Sequence, residues 1–368
     1  MSNKHSLAID LMDFKRLLKE WYAQNARVLP WRETTDPYMI WVSEVILQQT
    51  KVVQGMAYYF RFVEAFPTVK HLARANEDEV LKLWQGLGYY SRARNMLASA
   101  KFIAKELNGQ FPQTYNDLLK LKGVGEYSAG AIASFAFKQP VPAIDGNVYR
   151  IIARIFGIFD SPFTSSGKAV FRNLVEELMD LSAPDEFNQA LLDFGALQCI
   201  PRNPKCNSCP FAAYCYAYIN NVINALPVKA KKVKVRNRYF SYLLIRDGYF
   251  TYIAKRNAND IWRSLYEFPL IESDMQLSVE ELQQTDEWLS LFGHYVPTIL
   301  YVSSPVKHLL SHQVIWAQFI VVRILQPASA LQDGYIKVLT SSINRYSIPT
   351  LIDNFLAAEP AAKYFLNP

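Results

Sequence analysis

Two carboxylates, a glycine-bracketed turn and four cysteines are the residues of this 368-residue chain whose types and spacing could do chemistry. Glu44 stands in Trp41-Val42-Ser43-Glu44-Val45-Ile46-Leu47, and helical spacing puts it on one face with Ile40 and Leu47. A carboxylate on an apolar face must find a partner, for which Arg32 is a candidate, or have its pKa raised by desolvation. A raised pKa is what a general acid working near neutral pH requires. Asp145 precedes Gly146-Asn147 and an apolar run from Val148 to Phe156. It reads as a helix N-cap, where the helix end favours the ionised carboxylate and lowers its pKa. Capping alone explains it, yet the same anion could also stabilise a developing cation.

The turn is Leu121-Lys122-Gly123-Val124-Gly125-Glu126-Tyr127-Ser128, between a helix expected over residues 115–120 and a second helix of small and apolar residues. Two glycines around one apolar residue allow a tight hairpin whose backbone N–H groups point outward at the second helix's N-terminus. That is an anion site, and a phosphate diester is the obvious anion. A helix–helix turn without a ligand is the alternative. Gln85-Gly86-Leu87-Gly88-Tyr89-Tyr90-Ser91-Arg92-Ala93-Arg94 is a second glycine-broken turn. Its aromatic and basic residues suit insertion into a nucleic acid, or else form a core tyrosine pair beside a solvated helix face.

The cysteines follow the spacing Cys199-x6-Cys206-x2-Cys209-x5-Cys215. Zinc ribbons pair two close C-x-x-C units, which this is not. Four thiolates on one short loop of a helix-rich domain can ligate a cubane iron–sulfur cluster, with zinc as the alternative. Arg202 and Lys205 lie on the same loop, which would hold them at a fixed distance from a nucleic acid.

The elements that must position these groups are mostly helical in the first part of the chain. Helical periodicity runs from Leu11 to Tyr22. Asp36-Pro37 starts a helix expected to reach Thr50, Phe66-Pro67-Thr68 starts another, and residues 77–83 form a further one. Past Asn224, the cations Lys229, Lys231, Lys232, Lys234, Arg236 and Arg238 read as a basic linker crossing a phosphate backbone, or as a solvated linker. Strand-like runs follow at 239–245, 250–254, 298–303 and 315–325, with a helix over 279–292. The composition, 51% hydrophobic with net charge +6, describes a globular, mildly basic chain long enough for two cored domains. No run has transmembrane length, the N-terminus lacks an apolar signal core, and the cysteines are local rather than spread as a disulfide scaffold. An intracellular chain is expected, in a bacterial cytoplasm beside the nucleoid.

Together, the Glu44 segment through Gln48-Gln49-Thr50, the Gly-Val-Gly hairpin, Asp145-Gly146-Asn147 and the cysteine loop resemble the MutY family of adenine DNA glycosylases. That family lies within the helix-hairpin-helix superfamily of endonuclease III. Leu29-Pro30-Trp31-Arg32 narrows the resemblance to the adenine branch, and the match covers residues 7–225. It implies double-stranded DNA with A:8-oxoguanine or A:G mispairs as partner, a [4Fe-4S] cluster on Cys199, Cys206, Cys209 and Cys215, and a monomer. The target adenine would be flipped from the duplex, because its glycosidic bond is unreachable in the stack. Glu44 is similar to the general acid, and Asp145 to the carboxylate that stabilises or captures the sugar cation. Tyr127 and Asn147 would orient Asp145 and the nucleotide. Arg32 would lie near the adenine and Glu44, while Leu47, Gln49 and Tyr89 would wedge into the duplex. Lys122, Gly123 and Gly125 would hold phosphate. Lyase-competent relatives carry a lysine where Tyr127 stands. Neither Tyr127 nor Ser128 can form an imine, so a monofunctional glycosylase is implied rather than a glycosylase/lyase.

In the last third, Trp262-Arg263-Ser264-Leu265-Tyr266-Glu267-Phe268-Pro269 resembles an element of the family's Nudix-like domain. His308-Leu309-Leu310-Ser311-His312 resembles the loop that reads 8-oxoguanine, with Leu310 where phenylalanine is common. Glu280-Glu281 lacks the preceding Arg-Glu of a magnesium-binding Nudix helix, so no pyrophosphatase activity is expected. The predicted fold is a mainly α helix-hairpin-helix glycosylase domain with an iron–sulfur loop (1–225), a basic linker (226–236) and an α+β Nudix-like domain (237–368).

Overall fold

Caps written in the sequence set where the helices begin. The computed structural model describes residues 9–229, 235–257, 259–325, 329–358 and 361–366. In chain order the first helices are α1 (Leu11–Asn25), α2 (Pro37–Leu47), α3 (Val52–Ala65), α4 (Val69–Arg74), α5 (Glu77–Trp84) and α6 (Ser91–Glu106). Then come α7 (Tyr115–Leu118), α8 (Glu126–Phe137), α9 (Gly146–Phe156), α10 (Ser165–Leu178), α11 (Pro184–Leu197) and α12 (Tyr216–Ile219). Asp36 caps α2 by accepting from the Tyr38 amide at 2.8 Å, with Pro37 at the first helical position. Asn76 and Glu79 close a reciprocal capping box on α5. Helix α2 stops at Leu47, short of the expected Thr50, because Gln49 turns into the left-handed region at φ 55°.

The chain divides into two compact units, residues 1–74 with 95–231 and residues 75–94 with 232–368. The first is helical. Phe14, Phe171, Phe194 and Phe211 fill a core between α1, α9, α10 and α11, with the Phe14 and Phe211 rings 5.0 Å apart. Each such ring contributes about 1.5–3 kcal/mol by leaving water. Gly195 on α11 lets α9 approach closely, since a Cβ there would stand 2.5 Å from the Cβ of Asn147.

The second unit differs from the sequence expectation in owning residues 75–94. Asp78 on α5 takes Lys255 Nζ at 2.5 Å and the Tyr266 hydroxyl at 2.9 Å, and Lys82 Nζ donates to the Tyr346 carbonyl at 3.1 Å. Its strands are β1 (Arg236–Arg246), β2 (Phe250–Lys255), β3 (Tyr266–Glu267), β4 (Leu270–Ser273), β5 (Thr298–Val302), β6 (Val306–Leu309), β7 (Gln313–Arg323) and β8 (Ile336–Leu339). One sheet runs β4-β1-β7-β5, with β6 also on β7, and a smaller one runs β3-β2-β8. Strands β1 and β7 pair in parallel, from Arg236 opposite Gln313 to Arg246 opposite Arg323. Alternation along them sends Phe240, Tyr242, Phe319 and Val321 to one core and Leu243, Ile245, Ile320 and Val322 to another. The helices that follow are α13 (Val279–Leu282), α14 (Asp286–Phe292), α15 (Ser329–Gly334) and α16 (Thr350–Leu356). Helix α14 covers the second core and α16 the first.

The single helix expected over 279–292 is two, because Thr285 starts a new one by accepting from the Trp288 amide at 3.2 Å. Glu281 is spent on the capping box of α13. The basic run needs a larger correction. Lys231, Lys232 and Lys234 lie outside the described residues, but Arg238 is no linker cation. It is buried in β1 and forks onto Glu272 with both bonds at 2.6 Å. Among the described residues, no helix is long and apolar enough to cross a membrane.

Candidate active site

In the helical unit a cavity of about 870 Å³ is walled by the turn after α2, the Gly-Val-Gly hairpin and the start of α9. That volume suits a single bound small molecule or base. Glu44, Tyr127, Asp145 and Asn147 all line it, as do Arg32, Leu47, Gln49, Gly123 and Gly125. Lys122 stays on the exposed surface, where its carbonyl accepts from Ser99 Oγ at 2.9 Å.

Glu44 projects from α2, whose residues from Ile40 to Ile46 are buried throughout, and is itself 7% exposed. Burial pushes its carboxyl up to about 7 and the charge of Asp145 adds to this. A hydrogen bond from the Tyr127 hydroxyl and the field of Arg32 pull the other way. Arg32 is not its ion-pair partner. It forks instead onto Asp193 of α11, at 2.7 and 2.8 Å, where Arg27 Nε also arrives at 2.6 Å. Asp193 is fully buried and went unnoticed in the sequence, although a lone carboxylate in Leu191-Leu192-Asp193-Phe194 carries the same signal as Glu44.

Asp145 caps α9 as expected, accepting from the Asn147 amide at 2.8 Å and the Val148 amide at 2.9 Å. Its pKa moves opposite to the expectation. Burial raises it above the usual carboxylate range, more than the cap amides, the Asn147 side chain and Arg150 lower it. Asn147 Nδ2 donates to Asp145 Oδ2 at 2.6 Å, and Asn147 Oδ1 accepts from Arg150 at 2.8 Å. Arg150 also donates to the carbonyls of Gly195 at 2.7 Å and Cys199 at 2.8 Å. A continuous chain of hydrogen bonds therefore joins Asp145 to the cysteine loop, and no local pattern announced Arg150 as its middle.

The hairpin is built as its glycines require. Gly123 has φ 82°, and a Cβ on it would stand 2.7 Å from Asn95. Gly125 is the N-cap of α8 with no side-chain cap, and a Cβ there would meet open space. The first amides of a helix have no intrahelical acceptor, so this end can receive an anion.

Cys199, Cys206, Cys209 and Cys215 are free thiols around one small cavity. Among the described residues no three His, Cys, Asp or Glu side chains group as ligands of one metal ion. Burial pushes Cys209 up to about 12 and also raises Cys206 and Cys215. Arg154 donates to Cys199 Sγ at 3.4 Å and to the Ile200 and Pro201 carbonyls, bracing the loop with positive charge. The four thiols and Arg154 line this one cavity, and four thiolates are the donor set that would hold an iron–sulfur cluster.

The remaining candidates gather in the second unit. Tyr89, Leu310, Ser311 and His312 line a cavity of about 460 Å³, where the Tyr89 hydroxyl and Ser311 Oγ share a hydrogen bond. Tyr89 sits at φ 47°, and Arg92 lies over its ring at 5.8 Å.

Residues 42–177 match the family described as HhH-GPD superfamily base excision DNA repair protein. An adenine DNA glycosylase of Buchnera aphidicola (subspecies Baizongia pistaciae) is 33% identical over 311 residues, covering 82% of this chain and 84% of that one. The adenine DNA glycosylase of Rattus norvegicus is 42% identical over 218 residues, 57% of this chain and 42% of that one. Among solved structures, a thermostable thymine-DNA glycosylase superposes with TM-score 0.53 at 27% identity, covering 57% of this chain and 97% of its own.

Proposed function

The chain belongs to the adenine DNA glycosylase family, and from that premise we propose that it excises adenine paired with 8-oxoguanine or guanine, without lyase activity. The observation that carries this is a buried carboxyl with a pKa of about 7, Glu44, sharing one cavity with the capped carboxylate Asp145. Glu44 donates its proton to adenine N7, so that the C1′–N9 electron pair leaves with a neutral base. Asp145, held by Asn147, faces the oxocarbenium-like sugar. A water then adds at C1′ and returns a proton to the Glu44 carboxylate. With Tyr127 where a lysine would be needed, no imine forms and the strand stays intact.

The hairpin glycines and Lys122 are assigned to phosphate, Leu47, Gln49 and Tyr89 to wedging the duplex, and Leu310, Ser311 and His312 to the base opposite the adenine. The C-terminal unit is assigned a Nudix-like, lesion-reading role. Cys199, Cys206, Cys209 and Cys215 would hold a [4Fe-4S] cluster, which when bound supplies a rigid anchor for the loop carrying Arg202 and Lys205. Action as a monomer belongs to the same reading, and bacterial relatives favour a cytoplasmic, nucleoid setting.

A single-turnover assay on duplexes with one A:8-oxoguanine pair tests this, beside a thymine-glycol control. Breaks only after alkali, and only in the adenine strand, are expected. Breaks without alkali, or in the thymine-glycol strand, would place the chain in the lyase branch.

A further inference from the structure

The second unit contains a cluster of ions around the buried Arg238 that the proposed chemistry does not use. Arg238 on β1 donates to Asp260 at 3.0 Å as well as to Glu272, and Arg256 donates to Asp260 at 2.8 Å. Arg256 also bonds Glu267 at 2.8 Å and the Ile261 carbonyl at 2.9 Å. Both guanidinium groups lie over the Phe240 ring, at 4.9 and 5.8 Å. Burial alone would raise the Asp260 carboxyl, but hydrogen bonds from Arg238, the Ile261 amide and Arg256 hold it at about 2. An anion gripped from β1 and from the residue just past β2 is a fixed point on the loop that follows it.

That loop is strained. Trp262 and Ser264 adopt φ 58° and 69°, a region that side-chain-bearing residues avoid and that the surroundings must enforce. Its base is pinched by the Ser264 amide on the Arg256 carbonyl at 2.7 Å, and the Arg263 carbonyl accepts from Arg94 at 2.6 Å. The Trp262 ring is thereby turned onto His308, 5.7 Å away, and onto Phe240, 6.2 Å away. Asp260, Trp262, Tyr89, Ser311 and His312 then line the same cavity.

We propose that Asp260 is a positioning residue for lesion recognition: clamped by Arg238 and Arg256, it fixes the loop that presents Trp262 as a wall of the cavity where Tyr89 meets Ser311. The inference rests on the lesion-reading role proposed for this unit and adds two residues to it. Trp262 supplies a flat aromatic face beside the polar groups, the combination that distinguishes one purine from another by stacking and hydrogen bonding. Asp260 acts through the loop.

The test measures dissociation constants of the full-length protein for two duplexes. Each carries a 2′-fluoro-adenosine that resists cleavage, opposite 8-oxoguanine in one and guanine in the other. Wild type prefers the first. Asp260→Asn is expected to lose about tenfold of that preference by weakening only the 8-oxoguanine duplex. Trp262→Gly removes the ring while suiting the left-handed backbone, and should lose as much. It also serves if Asp260→Asn does not fold. An unchanged preference in either folded variant, or equal weakening on both duplexes, overturns the proposal. A wild type that shows no preference overturns the lesion-reading role itself, and this inference with it.

Discussion

The Tyr127 hydroxyl hydrogen-bonds the carboxyl of Glu44, joining the first turn of the helix after the Gly-Val-Gly hairpin to a buried acid 83 residues earlier. This bond stabilises the ionised form of Glu44 and so lowers its pKa against the upward push of burial. If Glu44 acts as an acid, excision falls as pH rises through about 7, where its proton is lost. Removing the hydrogen bond in Tyr127→Phe should move that alkaline limb to higher pH. Single-turnover rates across pH read it directly, and a limb that stays put or moves down contradicts the assignment.

The same buried acid makes a stability prediction. Its native pKa of about 7 lies above the ordinary 4.5, so the native state binds the proton more tightly than the unfolded chain does. Stability contributed by Glu44 is therefore full below pH 4.5 and is lost as pH rises through 7. Glu44→Gln removes the ionisation, and should gain about 3 kcal/mol over wild type at pH 8 and nothing near pH 4. Urea titrations at the two pH values measure this. The variant should also lose excision while keeping duplex binding.

Asp193 neutralises Arg27 and Arg32 from a fully buried position. Asp193→Asn leaves Arg32 largely desolvated without its anion, which should cost about 3–5 kcal/mol. The midpoint of urea unfolding is the measurement, and a change below about 1 kcal/mol would mean that Arg32 relaxes to solvent.

Arg150 ties Asn147, and through it Asp145, to the carbonyl of Cys199. Arg150→Gln should slow single-turnover excision by about 10–100-fold, the usual cost of losing a group that orients a reacting one. Iron per chain is measured alongside. A full rate at full iron content would show that Asn147 holds Asp145 unaided.

Much of the site was legible because its signals are local. Asp36-Pro37 and Asp145 each announce a helix start within three residues, and capping is a contact between near neighbours. The burial of Glu44 was legible from the apolar residues around it on one helix. Arg238 was misread for the opposite reason. Its alternation with other cations is the pattern of a solvated linker, and equally that of a strand whose inward arginine meets Glu272 and Asp260 from elsewhere in the unit.

Local pattern supplies the inventory: the two carboxylates, the hairpin glycines, the four thiols and the helices that begin at their caps. Folding sets the state and company of those groups. It raised Asp145 where the cap alone would lower it, gave Arg32 to Asp193 instead of Glu44, and brought Tyr89 to Ser311 across 222 positions. Desolvation and ion pairing depend on which residues fill the surrounding space, and those arrive from distant parts of the chain only once it is folded.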